Sequence, residues 1–187
     1  MSTRRISSGR ELDILIKLSA GRRLPQDISE LTGINDKLLS DKGVEKAQAC
    51  DRIAEMLSCT NPLLVAYNAQ FDLSFLYSFL DRFGKVSLLD KVKKLDALTI
   101  YKDRRPYPHK LENAVSAYAL KTQNSHRAID DTKATFELLC SMEQELNDLH
   151  RYINLFGYNP KYGVTGRKIS SVKYLPQPYN MLKKLYE

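Results

Sequence analysis

Asp72, His126 and Asp131 are the residues of this chain whose types and spacing invite chemistry. His126 and Asp131 stand five apart in HRAIDD, where an amphipathic helix pattern begins. Asp72 closes YNAQFD, where an apolar run gives way to a second helix pattern. Carboxylates hold hard divalent cations, and an imidazole moves protons near neutral pH. The same residues also have a purely structural use. Acids in the first turn of a helix offset its dipole, which accounts for Asp130 and Asp131 without any ion, and Asp72 serves equally well as a cap. Taken one at a time, the motifs leave both uses open. A carboxylate beside a buried face nevertheless needs a partner, whether a backbone N–H, a cation or a metal.

The elements around these residues are expected to alternate strand and helix. Leu12, Ile14, Ile16 and Leu18 alternate with polar residues over 11–18, which predicts a half-buried strand. A short strand at 4–7 and a turn at Ser8–Gly9 would precede it. A turn over 21–27 leads to a helical turn over 28–32 that ends near Gly33. Val44, Ala47, Ile53, Ala54 and Leu57 predict a helix over 41–58, broken by Asn61–Pro62. The apolar run 63–68 reads as a buried strand. The helix after it carries Phe71, Phe75, Phe79 and Phe83 with Leu76 and Leu80, a stripe expected to lie in the core. A strand is predicted over 93–102, with Asp96 near its start, and a helix over 109–120. The helix from 126 to about 150 presents Ile129, Phe136, Leu139 and Leu146. A turn-rich stretch at 157–166 and a last strand at 168–176 complete an α/β chain.

Joined in order, the pieces are more specific: an apolar strand running into NAQFDLSFL, then LDAL at 95–98, a KLENAV helix, and HRAIDDTKAT. This order resembles the DEDDh-type 3′–5′ exonucleases, proofreading-type nucleases related to the epsilon subunit of bacterial DNA polymerase III. LPQDISELTGIND at 24–36 is similar to that family's link from its third strand to its first helix. The resemblance covers roughly residues 5–150. It implies an RNase H-like mixed sheet flanked by helices, and metal-dependent removal of nucleotides from the 3′ ends of DNA or RNA. The family holds two Mg²⁺ or Mn²⁺ ions with four carboxylates. Such ions require oxygen ligands, and a pair of them clamps both oxygens of an in-line displacement. Two of the four carboxylates carry over to Asp72 and Asp131. His126 matches the general base that deprotonates the attacking water. Asn68 matches a polar residue beside the substrate, with Tyr67 and Phe71 in the same motif. Tyr67 departs from the histidine common there, so it forms hydrogen bonds but does not take over the same protonation role.

The family's first strand carries an Asp-x-Glu, and these 187 residues contain none. Glu11 and Asp13 share a strand face, but that face opposes the apolar one and the strand aligns with the family's third. They are expected to be solvated rather than to bind metal. Two carboxylates suit one loosely held Mg²⁺ or Mn²⁺ completed by substrate phosphates, not a two-ion clamp. Weak or absent cleavage is therefore expected of the chain as it stands. An N-terminally truncated sheet would also expose an edge of 63–68. The segment 168–176, a second copy in a homodimer, or a partner's strand would cover it, and a longer native N-terminus would restore both strand and motif.

The net charge of +7 is uneven. Residues 151–187 hold seven Lys/Arg against Glu187 alone, and six of the eleven tyrosines. Two domains are expected: an exonuclease-like domain over 1–150 and a basic extension over 151–187. Cations neutralise phosphates and aromatic faces stack on bases, so Arg167, Lys168 and Lys173 are candidate nucleic-acid contacts. A tail that wraps the domain and packs its tyrosines inward has the same composition. Cys50, Cys59 and Cys140 are scattered, with no CxxC spacing, and read as buried thiols of a reducing compartment. No apolar run suits a membrane span, and MSTRRISSGR lacks a signal-like apolar segment, so a cytoplasmic protein is expected. Two functions fit: a 3′–5′ exonuclease acting on nucleic-acid 3′ ends, and a non-catalytic nucleic-acid- or protein-binding module derived from that fold.

Overall fold

The structure, a computed structural model, describes residues 12–122, 128–179 and 183–187. The expected strand at 4–7, Glu11 and His126 lie outside the described residues. The chain divides into two compact units, residues 1–49 and 50–187.

In the first unit, helix α1 (Gln26–Thr32) ends as expected on Gly33, whose φ of 69° is the left-handed conformation that glycine adopts without steric cost. Helix α2 (Asp36–Lys42) is capped by the Asn35 side chain, which accepts from Leu38 N. Two of the expected elements differ. Over 12–18 the chain forms no regular strand. Its ladder is a single parallel bridge, Ile16 to Val44, with Lys17 N donating to Val44 O and Val44 N to Leu15 O. The helix expected over 41–58 is two helices. Val44 belongs to the bridge, and α3 (Lys46–Leu57) begins after it.

The second unit shows the expected α/β class, in the manner of an RNase H-like fold. Strand β1 (Leu63–Ala66) feeds helix α4 (Ala69–Asp81). A short 3-10 turn leads to β2 (Lys93–Asp96), which pairs with β1 in parallel from Leu63–Lys93 to Ala66–Asp96. Among the described residues β1 is hydrogen-bonded on one side only, to β2. The strand expected over 93–102 stops at Asp96. Asp96 accepts from Leu98 N and Thr99 N and so caps helix α5 (Ala97–Lys102), turning the chain from extended to helical. Helices α6 (Leu111–Ala117) and α7 (Ala128–Glu145) follow.

The described residues of 151–187 are built into this unit. They supply β3 (Leu155–Tyr158), whose last two residues fall in the stretch 157–166 expected to be turns, and β4 (Lys173–Pro176), paired in parallel. The last expected strand therefore pairs with β3 and does not cover β1. Asn154 adopts a φ of 57° and ties the two strand pairs together. Its N–H donates to Lys94 O and its side chain accepts from Lys94 N, while its carbonyl accepts from Lys173 N. Asp103 at the end of α5 accepts from the Tyr152 hydroxyl, Gln177 Nε2 and Leu185 N, which binds the C-terminal segment to the core. Tyr152 is fully buried, whereas Tyr162 and Tyr179 are exposed. The inward-packing alternative thus holds for part of the tyrosine set.

The phenylalanine stripe of α4 is only half in the core. Phe71 and Phe75 are 60% and 64% exposed, and the buried face is Ala69, Leu73, Tyr77 and Leu80. At 3.6 residues per turn, each four-residue step advances about 40° around the helix. Four phenylalanines at that spacing cannot share one face. In α7 the buried set is Ala134, Thr135, Leu138, Leu139 and Met142, whereas Phe136 and Leu146 are exposed. Cys50 is buried, Cys140 is partly buried, and Cys59 is exposed, contrary to the expectation for all three. Among the described residues no helix is long and apolar enough to cross a membrane.

The two faces of α4 differ in what they contribute to stability. Leu73→Ala is expected to cost about 2–5 kcal/mol, and Phe75→Ala less than about 1 kcal/mol, by urea denaturation. Equal costs would contradict the burial pattern.

Candidate functional site

The ends of β1 and β2 and the starts of α4 and α7 bring the chemistry together. The chain leaves β1 through Tyr67 and Asn68, and Asn68 turns into α4 with a φ of 65°. Asp72 then falls in the first turn of α4, and Asp131 in the first turn of α7. Both line one cavity of about 510 Å³, together with Tyr67, Leu111, Thr135 and Phe136. The predicted carboxylates thus come from helices some sixty residues apart and face a common space.

Their electrostatics agree with that placement. Asp72 is exposed as a residue, yet burial around its carboxyl raises its pKa, and the negative charges of Asp96 and Asp131 raise it further. Its backbone hydrogen bond acts in the opposite direction. Like charges sharing a site resist joint ionisation, and a divalent cation between them removes the penalty. The donor set is all oxygen, which suits Mg²⁺ or Mn²⁺ rather than a thiophilic metal. Two carboxylates fit one such ion. Among the described residues there is no group of three or more His, Cys, Asp or Glu side chains able to hold a metal.

The remaining predicted residues are less convergent. Tyr67 lines the cavity, and its hydroxyl donates to His109 O at 2.8 Å, with burial pushing its pKa up. Asn68 is exposed at the head of α4 and makes no side-chain capping bond, although its carbonyl accepts from Phe71 N. Phe71 stands outside the cavity lining, edge-on to Phe75 with ring centroids 5.0 Å apart. Arg167, Lys168 and Lys173 are exposed and do not line the cavity. The Arg167 guanidinium lies over the Tyr77 ring at 5.5 Å.

Asp96 is the positioning residue that the sequence did not single out. It is 4% exposed and accepts from Ala69 N at 3.0 Å, Leu98 N at 3.3 Å, Thr99 N at 3.2 Å and Thr99 Oγ1 at 2.6 Å. One carboxylate therefore fixes the first residue of α4 as well as the start of α5. The signal was present: an Asp directly before the helical stretch 97–102, with Thr99 three residues on, is an N-cap pattern.

Asp72 and Asp131, at two helix starts of an α/β unit, thus give one cavity an oxygen-donor lining of the kind that hard divalent cations take. The chain belongs to the RNase_T exonuclease family, which it matches over residues 1–139. It is 30% identical over 126 residues to a PolC-type DNA polymerase III of Caldanaerobacter subterraneus, covering 65% of this chain and 8% of that protein. It is 29% identical over 124 residues to the DNA polymerase III subunit epsilon of Treponema pallidum, covering 65% of this chain and 56% of that one. A PolC-type DNA polymerase III of Bacillus subtilis is 33% identical over 125 residues, 8% of its length. The chain thus spans little more than half of the epsilon subunit and a small part of the PolC-type polymerases. Exonucleases of this family generally use divalent metal ions.

Removing the Asp96 carboxylate leaves buried N–H groups of two helices unpaired. Asp96→Ala is expected to lower the free energy of unfolding by on the order of 3 kcal/mol, with Asp96→Asn losing less. Urea denaturation of both variants measures this, and an unchanged midpoint for Asp96→Ala would contradict it.

Proposed function

We propose that this chain acts at nucleic-acid 3′ ends as a metal-dependent 3′–5′ exonuclease-type domain, with weak cleavage from its own residues alone. The observation that carries this reading is the shared cavity of Asp72 and Asp131 in a chain of the exonuclease family. Asp72 and Asp131 would hold one Mg²⁺ or Mn²⁺. When bound, such an ion supplies positive charge against the phosphodiester oxygens as the bond breaks. His126, five residues before Asp131, is assigned to take the proton from the attacking water. Tyr67 and Asn68 would border the terminal nucleotide. The exposed ring of Phe71 offers a stacking face for a base. Weak cleavage follows from ligand count, because two carboxylates leave most of an ion's coordination to water and substrate phosphates.

A second reading, a binding module without cleavage, draws support from the same small ligand set. The partner of the first would be a nucleic-acid strand met in the cytoplasm, and that of the second such a strand or another protein. A strand from a second copy or a partner chain beside β1 would complete the sheet.

The deciding experiment uses a 5′-labelled single strand. In Mn²⁺ the chain is expected to bind the strand and shorten it slowly from the 3′ end, and Asp131→Asn is expected to abolish shortening but not binding. Shortening that persists in Asp131→Asn would sink the site assignment, and binding with no shortening at all would favour the binding module. The basic segment has its own test. Replacing Arg167, Lys168 and Lys173 with Gln should flatten the salt dependence of single-strand affinity, by a log–log slope of about 0.7 per lost phosphate contact. An unchanged slope would leave these three residues without a role in strand binding.

A further inference from the structure

A second cavity, of about 470 Å³, lies in the same unit and plays no part in the site described above. Its wall combines aromatic rings and cations: Tyr107, His109, Tyr179, Lys102 and Lys110. Tyr107 is 66% exposed and Tyr179 49% exposed, an unusual presentation for two rings in contact, with centroids 5.5 Å apart. Both rest on His109, which is stacked on Tyr179 at 5.8 Å and edge-on to Tyr107. His109 is itself nine-tenths buried. Its Nε2 faces Arg105 O at 3.0 Å, and a carbonyl only accepts, so that nitrogen carries the hydrogen. Nδ1 is buried with no hydrogen-bond partner among the described residues.

The cations divide into two kinds. Lys110 pairs with Glu112 at 3.4 Å on the open surface. Lys102 is half-buried at the end of α5 and forms no ion pair among the described residues. Burial pushes its pKa down, and the charge of Asp96 offsets part of that. A half-buried ammonium with no carboxylate in ion-pair contact among the described residues gains from an arriving anion.

We infer that this cleft binds an upstream nucleotide of a single-stranded nucleic acid, with a base stacked on the exposed Tyr107–Tyr179 pair and a phosphate held by Lys102. Exposed rings stack on any base and the cation neutralises the backbone, so the site would be indifferent to sequence. A strand is favoured over a free nucleotide because the two cavities are neighbours, with no lining residue in common but linings that touch. Tyr67 of the first donates to the carbonyl of His109 in the second, and Leu111 lines the first between Lys110 and Glu112 of the second. The inference rests on the proposed action at 3′ ends, since a strand ending beside Asp72 and Asp131 brings its preceding nucleotides within reach of the cleft.

The test is fluorescence anisotropy with a labelled single-stranded 12-mer in EDTA, where no cleavage interferes. The full chain is compared with Tyr107→Ala/Tyr179→Ala and with Lys102→Gln, and circular dichroism checks that each variant is folded. The double tyrosine variant is expected to bind about tenfold more weakly. Lys102→Gln should lower affinity and flatten the salt slope. Strand affinity unchanged in both cleft variants would overturn the proposal while leaving the cleavage site standing. If AMP binding, followed by calorimetry, were lost while strand affinity held, the cleft would belong to free nucleotides and the strand proposal would fail. No strand binding by the unmodified chain would remove this proposal and the proposed function together.

Discussion

The carboxylate of Asp96 is the tie on which the site's geometry depends. It sits at the end of β2, buried, and accepts hydrogen bonds from the first residue of α4 and from the first turn of α5. Helix starts leave N–H groups without internal partners, and burying them unpaired costs more than any single contact returns. One acid meets that requirement for two helices at once. It thereby fixes where α4 begins, and so where Asp72 lies one turn later. Its charge also reaches Asp72 and adds to the repulsion between Asp72 and Asp131. The acid that organises the scaffold therefore also raises the local demand for a cation.

How much of this was legible in the sequence depends on which interaction decides each element. The strand at 63–66 and the helix after it were plain, because a continuous apolar run followed by a helical period has one reading. The juxtaposition of Asp72 and Asp131 came from the order of motifs rather than from periodicity, since no local pattern reports a contact across sixty residues. The strand predicted over 93–102 failed at Asp96 because Thr99, Ile100 and Tyr101 favour a strand locally, and the Asp96 side-chain cap overrode that preference. The stripe of phenylalanines misled because a four-residue spacing resembles a helix face only over two steps. Phe71 and Phe75 turn outward, away from the face that Leu73, Tyr77 and Leu80 bury.

The C-terminal segment shows why composition underdetermines role. Seven cations and six tyrosines suit both a nucleic-acid tail and a packed wrap. The structure divides the set. Tyr152 fills the core and Tyr174 bonds to Gln70, whereas Tyr179 faces outward next to Tyr107. Asp103 and Asn154 anchor the segment through backbone groups that no sequence pattern announces. Residues 151–187 are thus structural and, at their exposed positions, available to a ligand.

The central claim is that Asp72 and Asp131 form one cation site. It is tested most directly by anomalous diffraction from crystals of the chain soaked in Mn²⁺ with a nucleoside monophosphate. The account predicts a single strong manganese peak within bonding distance of both carboxylates. A peak bound to one of them alone, or none in that cavity, would contradict it.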